Sequence, residues 1–144
     1  MKEFTQKEKA LIKYLMEYAS YSEEEAHEEI ENPSGDYAIY TDEEADEAVK
    51  DYIEESLWAF NSSFLANFLP SGCESEAETI LKPLQEKCES GNDAIKALIS
   101  WDENSSEIVE EAIRWDGRGH FLNNYDGEEY EIEVEGKYFY IYKQ

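Results

Sequence analysis

Apolar residues Leu11, Leu15 and Tyr18 recur at helical spacing, with Ile12 and Ala19 beside them, which predicts a first helix from about Thr5 to Ser20. Ser22 and Glu25 stand at the spacing of a capping box, so a second, short helix starts there and stops before Asn32-Pro33-Ser34-Gly35. Asp36 to Tyr40 reads as a short strand. Thr41 before Asp42-Glu43-Glu44 is a helix start, because the hydroxyl caps the first turn and the acids suit its positive dipole end. That third helix is predicted to reach Phe60. Its apolar stripe is Ala45, Val49, Tyr52, Ile53 and Leu57, with Trp58 and Phe60 near the end and Glu44, Glu47, Asp51, Glu54 and Glu55 opposite.

Further along, Asn61-Ser62-Ser63 caps a short helix through Leu69, which Pro70-Ser71-Gly72 ends. Ser75 and Glu78 offer another capping box. Pro83 within the following pattern predicts a kink, or two short helices, one up to Leu81 and one from Pro83 to Glu89. Gly91-Asn92 separates these from a helix over Asp93 to Ser100, and Asn104 to Trp115 is the last one expected. The period then changes. Tyr130, Ile132 and Val134 alternate with Glu129, Glu131, Glu133 and Glu135, Gly136 allows a turn, and Tyr138 to Tyr142 is a second strand. A lone hairpin is marginal in water, so Asp36 to Tyr40 is the natural third strand. The expected fold class is α+β: several short helices on a small antiparallel sheet with a C-terminal β-hairpin, in a single domain over residues 1–144.

Charge changes this picture most. The 144 residues hold 36 Asp and Glu against 12 Lys and Arg, a net charge of −24. Such a chain is repelled by phosphates, which excludes direct binding of nucleic acid or an anionic membrane through a basic patch. With 41% hydrophobic and 14% aromatic residues it is not a disordered acidic tail either. Cys73 and Cys88, with no CxxC pair, exclude a structural zinc site; a disulfide stays open, and reduced thiols in a cytosolic protein are the expectation. No signal peptide or membrane-length apolar run is legible, so the sequons at Asn61 and Asn104 read as chance matches.

The charge is uneven. Residues 1–21 carry four Lys and three Glu, whereas 22–60 carry 15 acids and one lysine, and 101–144 carry 12 acids against four basic residues. Acids four apart on a helix are about 6 Å apart along its axis, and alternate strand residues about 6.8 Å, approaching the phosphate repeat of a nucleic-acid strand. At one charge per roughly 1.7 Å of duplex, −24 corresponds to about a dozen base pairs. The pattern fits a chain that takes the place of nucleic acid in a basic channel. The candidate partner-binding residues are Glu23, Glu24, Glu28, Glu31, Asp42, Glu43, Glu44, Glu47, Asp51, Glu54, Glu55, Glu129, Glu131, Glu133 and Glu135. The competing explanation is an ordinary solvated surface.

Asp116-Gly117-Arg118-Gly119-His120 is the most unusual local sequence. A chemical reading makes His120 a general base oriented by Asp116 or Asp126, with Arg118 holding an anion. A structural reading has Gly117 and Gly119 ending the helix at positive φ, Arg118 pairing with nearby acids and Asp126-Gly127 turning into the hairpin. His27 sits among glutamates and lacks the HExxH arrangement. No P-loop, dinucleotide fingerprint, nucleophile elbow or calcium-loop pattern is present, so neither a catalytic residue nor a cofactor or metal is assigned. Trp58, Trp101 and Trp115 fall near helix ends and are expected in the core, although an exposed one beside the acids would serve as an interface anchor.

Thr41-Asp42-Glu43-Glu44-Ala45-Asp46-Glu47-Ala48, continuing into Tyr52-Ile53-Glu54-Glu55-Ser56-Leu57-Trp58-Ala59-Phe60, resembles a segment of small acidic proteins carried by bacteriophages and plasmids. So does Asp116-Gly117-Arg118-Gly119-His120-Phe121-Leu122 with Tyr125-Asp126-Gly127-Glu128-Glu129. The resemblance implies a mobile-element origin without supplying catalytic residues. By analogy with DNA-imitating anti-CRISPR and anti-restriction inhibitors, the leading expectation is a noncatalytic DNA mimic in the host bacterial cytoplasm, whose partner is a CRISPR effector or restriction enzyme. Alternatives are an accessory enzyme using His120, Asp116 and Arg118, or an adaptor binding through the Tyr138, Tyr140, Tyr142 face.

Overall fold

The computed structural model describes residues 3–70 and 76–144. Two compact units divide the chain, one made of Met1–Ala48 with Asp116–Gln144 and the other of Val49–Trp115.

The first unit is built on a three-stranded antiparallel sheet of order β1-β3-β2, formed by β1 (Tyr37–Tyr40), β2 (Tyr130–Val134) and β3 (Lys137–Lys143). Pairing runs from Tyr37 opposite Lys143 to Tyr40 opposite Tyr140, and from Tyr130 opposite Ile141 to Val134 opposite Lys137. Glu135 and Gly136 connect β2 to β3 with φ of +53° and +83°, the two left-handed residues of a type I′ hairpin turn. Helices α1 (Gln6–Tyr18), α2 (Glu23–Glu31) and α3 (Asp42–Ser56) each begin at a reciprocal cap. Thr5 pairs with Glu8, Ser22 with Glu25 and Thr41 with Glu44, each hydroxyl accepting the third backbone N–H while the carboxylate accepts the cap's own N–H.

Alternation places Ile132, Val134, Phe139 and Ile141 on one sheet face, where Ala10, Leu11, Tyr14 and Leu15 of α1 cover them and Ala26 of α2 joins the same core. Each such large side chain contributes about 1.5–3 kcal/mol on burial. Tyr138, Tyr140 and Tyr142 occupy the other face. Tyr142 is fully buried and Tyr138 half exposed, so the three tyrosines do not form one open surface.

The second unit is all helical among the described residues. Beyond the rest of α3 it holds α4 (Ser62–Ala66), α5 (Ala77–Gln85), α6 (Asn92–Leu98) and α7 (Trp101–Asp116), with 3₁₀ turns at Leu57–Ala59 and Cys88–Gly91. Ile53, Leu57, Leu65, Leu81, Ile95, Ile99 and Ile108 fill its core. A final short helix, α8 (Arg118–Leu122), belongs to the first unit. The molecule is an α+β fold with a C-terminal hairpin.

Several boundaries differ from those the sequence predicts. The third helix stops at Ser56 rather than Phe60, because the Asn92 side chain replaces one helical bond: it accepts from Trp58 N–H (3.1 Å) and donates to the Glu54 carbonyl (2.6 Å), the two groups that would otherwise bond each other. Pro83 neither splits its helix nor ends it at Leu81. The carbonyl it orphans belongs to Thr79, and both residues are exposed, so the missing bond falls on the solvent side of the helix. The helix capped by Asn61 closes at Ala66, and α7 begins three residues before Asn104, whose side chain instead donates to the Ile99 carbonyl (2.8 Å). The Ser75 cap and Cys73 lie outside the described residues. Cys88 is exposed with a free thiol. No helix among the described residues is long and apolar enough to cross a membrane.

Candidate functional site: the acidic segments

Acidic side chains of identical type meet three different fates. On α2, among the described residues, no carboxylate meets a lysine or arginine. Glu25 is spent on the Ser22 cap, Glu29 accepts from Ser34 N–H (2.8 Å) and Oγ (3.0 Å), and Glu28 accepts from Asn32 Nδ2 (2.8 Å). Glu23 lies 3.9 Å from His27 Nε2. Glu24, Glu28 and Glu31 are exposed, and at 100° per residue they fall within about 60° of one another over roughly 10 Å of axis. Tyr21, Glu24, Glu25, Glu28, Glu29 and Asn32 line an open hollow of about 410 Å³. The helix is held to the molecule by its other side, through buried Ala26 and half-buried Ile30.

On α3 the acids divide. Glu43 and Glu47 are exposed and outside any ion pair among the described residues, as are Asp51 and Glu55 in the second unit. Glu44 reaches Lys7 (2.8 Å), and the Lys7 hydrogen bond, with that of its Thr41 cap, holds its carboxyl below the usual range. Glu54, half-buried in the second unit, is likewise held down by its hydrogen bond to Lys96 (2.7 Å).

The hairpin stripe is not a single row. Glu131 and Glu133 are exposed, but Glu135 is folded back in the turn against Gln6 (3.3 Å) and Lys9 (3.2 Å), whose hydrogen bonds lower its carboxyl pKa. Glu129 is drawn into a cluster around Arg118. That guanidinium, only 9% exposed, bonds Glu129 through Nε (2.7 Å) and Asp42 (2.8 Å), Asp46 (3.0 Å) and the Asp42 carbonyl (3.1 Å) through Nη1, and it stacks on Tyr140 at 4.5 Å. Tyr142 donates its hydroxyl to the same Glu129 oxygen. Burial opposes the charge of Arg118, yet the carboxylates outweigh it and its pKa ends above the ordinary value. Burial and then the Glu129 bond push the Tyr142 phenol up as well.

Through Arg118 this cluster ties down the Asp116–His120 loop. Gly117 has φ +81° and closes α7, but Gly119 serves differently from the positive-φ terminator its sequence suggests: it sits inside α8, where an added Cβ would lie 2.3 Å from the Gly127 carbonyl oxygen. His120 is exposed and edge-on to Phe121, Asp126 is engaged by Glu128 N–H (3.0 Å) and Tyr130 Oη (2.8 Å), and Arg118 is sequestered. Among the described residues no hydrogen bond or ion pair joins His120 to Asp116, Asp126 or Arg118. Nor do the described residues contain a group of three metal-ligating side chains.

Sequence reasoning missed two things here. Arg118 pairs with Glu129, eleven residues on, as the expectation of nearby acids has it, but its other partners, Asp42 and Asp46, lie more than seventy residues away in the chain; the signal for them is that Arg118 is one of only two arginines. Of the three tryptophans expected in the core, Trp101 is buried there, whereas Trp58 is only half-buried and Trp115 is 76% exposed. No family model, curated protein or solved structure matches this chain.

Proposed function

We propose that this protein is a noncatalytic inhibitor whose acidic surface occupies the basic nucleic-acid groove of a host defence nuclease, a CRISPR effector or restriction enzyme, in the bacterial cytoplasm. The observation that carries the reading is the unmatched charge of α2. Residues 22–48 hold 12 acids and no lysine or arginine, and the only cations that reach into this stretch among the described residues, Lys7 and Arg118, go to α3. Like charges at i and i+4 destabilise a helix, so α2 bears a repulsion that an arginine-rich partner would relieve. A groove built for phosphates would also capture such a surface quickly through electrostatic steering.

The test is competition. Purified defence nucleases are titrated with the protein in the presence of duplex DNA at rising salt, alongside the variant E24Q/E28Q/E31Q. Binding that DNA displaces, that weakens with salt and that falls at least about tenfold in the variant supports the reading. Binding insensitive to salt, to DNA and to the triple substitution, or no binding at low salt, overturns it.

A further inference from the structure

The two edges of the sheet in the first unit are not equivalent. In an antiparallel ladder, alternate residues turn their backbone groups toward one neighbour and then the other. Gln144 N–H donates to the Asp36 carbonyl (2.7 Å), which sets the phase: Asp36, Ala38 and Tyr40 face β3, and the N–H and C=O of Tyr37 and Ile39 face outward. On the opposite edge the same phase turns Glu131 and Glu133 outward, and there Lys13 Nζ donates to the Glu133 carbonyl (3.1 Å). Lysine and flanking acids on an edge strand are the usual guard against strand addition. The β1 edge has no such guard. Its sequence is Tyr-Ala-Ile-Tyr, with no charge, proline or bulge, and among the described residues no hydrogen bond from outside the sheet reaches Tyr37 or Ile39 backbone.

We propose that β1 is a docking edge that accepts an extended, basic segment of a partner protein as a fourth strand. Tyr37 and Ile39 supply up to four backbone hydrogen bonds in the manner of β-augmentation. Charge selects the occupant. Exposed Asp36 precedes the strand and exposed Glu43 follows it. A strand with lysine or arginine at both ends complements these acids. A second copy of this chain does not, because antiparallel self-pairing sets Asp36 of one copy against the acidic start of α3 in the other. The contact is made by backbone groups and is independent of the groove-blocking surface on α2.

The probe is a nine-residue peptide of alternating threonine and valine with two lysines at each end, followed by amide hydrogen exchange on the full chain. Exchange at Tyr37 and Ile39 is expected to slow at least about tenfold, equivalent to about 1.4 kcal/mol, with Ala38 and Tyr40 unchanged. N-methylation of alternate peptide amides, or glutamates in place of the lysines, is expected to abolish the effect with the protein unaltered. Ile39→Pro removes an outward N–H without touching the ladder to β3, and is expected to prevent binding. The proposal is overturned if the lysine peptide does not bind, if it binds without slowing these two amides, or if the N-methylated peptide binds equally. It is also overturned if the peptide-free protein is a dimer with both amides already protected, which would give the edge to a second copy.

Discussion

Helix α2 and the start of α3 are both acidic and capped in the same way, yet they end in opposite electrostatic states. Asp42, Glu44 and Asp46 on α3 are gathered by Lys7 and Arg118, whereas Glu24, Glu28 and Glu31 on α2 meet no lysine or arginine among the described residues. The difference teaches that an acid run in this sequence is two things at once. One part is structural glue for a nearly buried arginine, and the other is charge left facing water. Net charge alone distinguishes neither.

The largest break in this contrast comes from Arg118→Met, which leaves Asp42, Asp46 and Glu129 around an apolar side chain. Arg118 is nearly buried but Asp42 and Asp46 are mostly exposed, so the carboxylates left behind are largely solvated; the loss is on the order of 2 kcal/mol, and the thermal midpoint followed by circular dichroism is expected to fall by about 6 °C. Tyr142→Phe removes one hydrogen bond to a carboxylate that keeps its arginine, and is expected to cost about 1.5 kcal/mol in urea unfolding.

Acidity sharpens the comparison next. Glu44, Glu54 and Glu135 have folded-state pKa values below their ordinary 4.5, each with a hydrogen-bonding partner as the leading cause. The unfolded chain then binds protons before the folded one, so their contribution is present above about pH 4.5 and disappears as pH falls through the lowered folded values. Tyr142, and Tyr130 with its phenol pushed up to about 12 by Asp126, act at the other extreme. There the unfolded chain loses protons first, and stability declines as pH rises above about 10. Denaturant midpoints measured from pH 3 to 11 are expected to trace both limits. The smallest effect belongs to E24Q/E28Q/E31Q, which is expected to leave stability within about 0.5 kcal/mol of the parent, or to raise it slightly by relieving repulsion.

Much of the fold was legible because its determinants are local. The Ser22–Glu25 and Thr41 caps, the Glu-Gly turn and the alternation of Tyr130 to Val134 each act within a few residues, and each element stands where that chemistry puts it. The misplaced boundaries have distant causes. The end of α3 is set by Asn92, 38 residues from Glu54, and no local pattern announces it. The same holds for the acidic site. Which carboxylates remain solvated depends on where two arginines and ten lysines land, and that is decided by packing. Gly119 illustrates the limit: its neighbours suggest a turn, while the requirement is the close passage of the Gly127 backbone.

The strand order carries a consequence for biosynthesis. β3 is the central strand and the last element in the chain, and β1, made about a hundred residues earlier, pairs with no other strand among the described residues. As the polypeptide leaves the ribosome, α1, α2 and β1 emerge long before the strand that completes their core. The Val49–Trp115 unit, contiguous in sequence, has all its residues available first. Helix α2, with six acids and no lysine or arginine, thus spends much of translation beside an unfinished core, and its charge favours keeping nascent chains apart until β3 arrives.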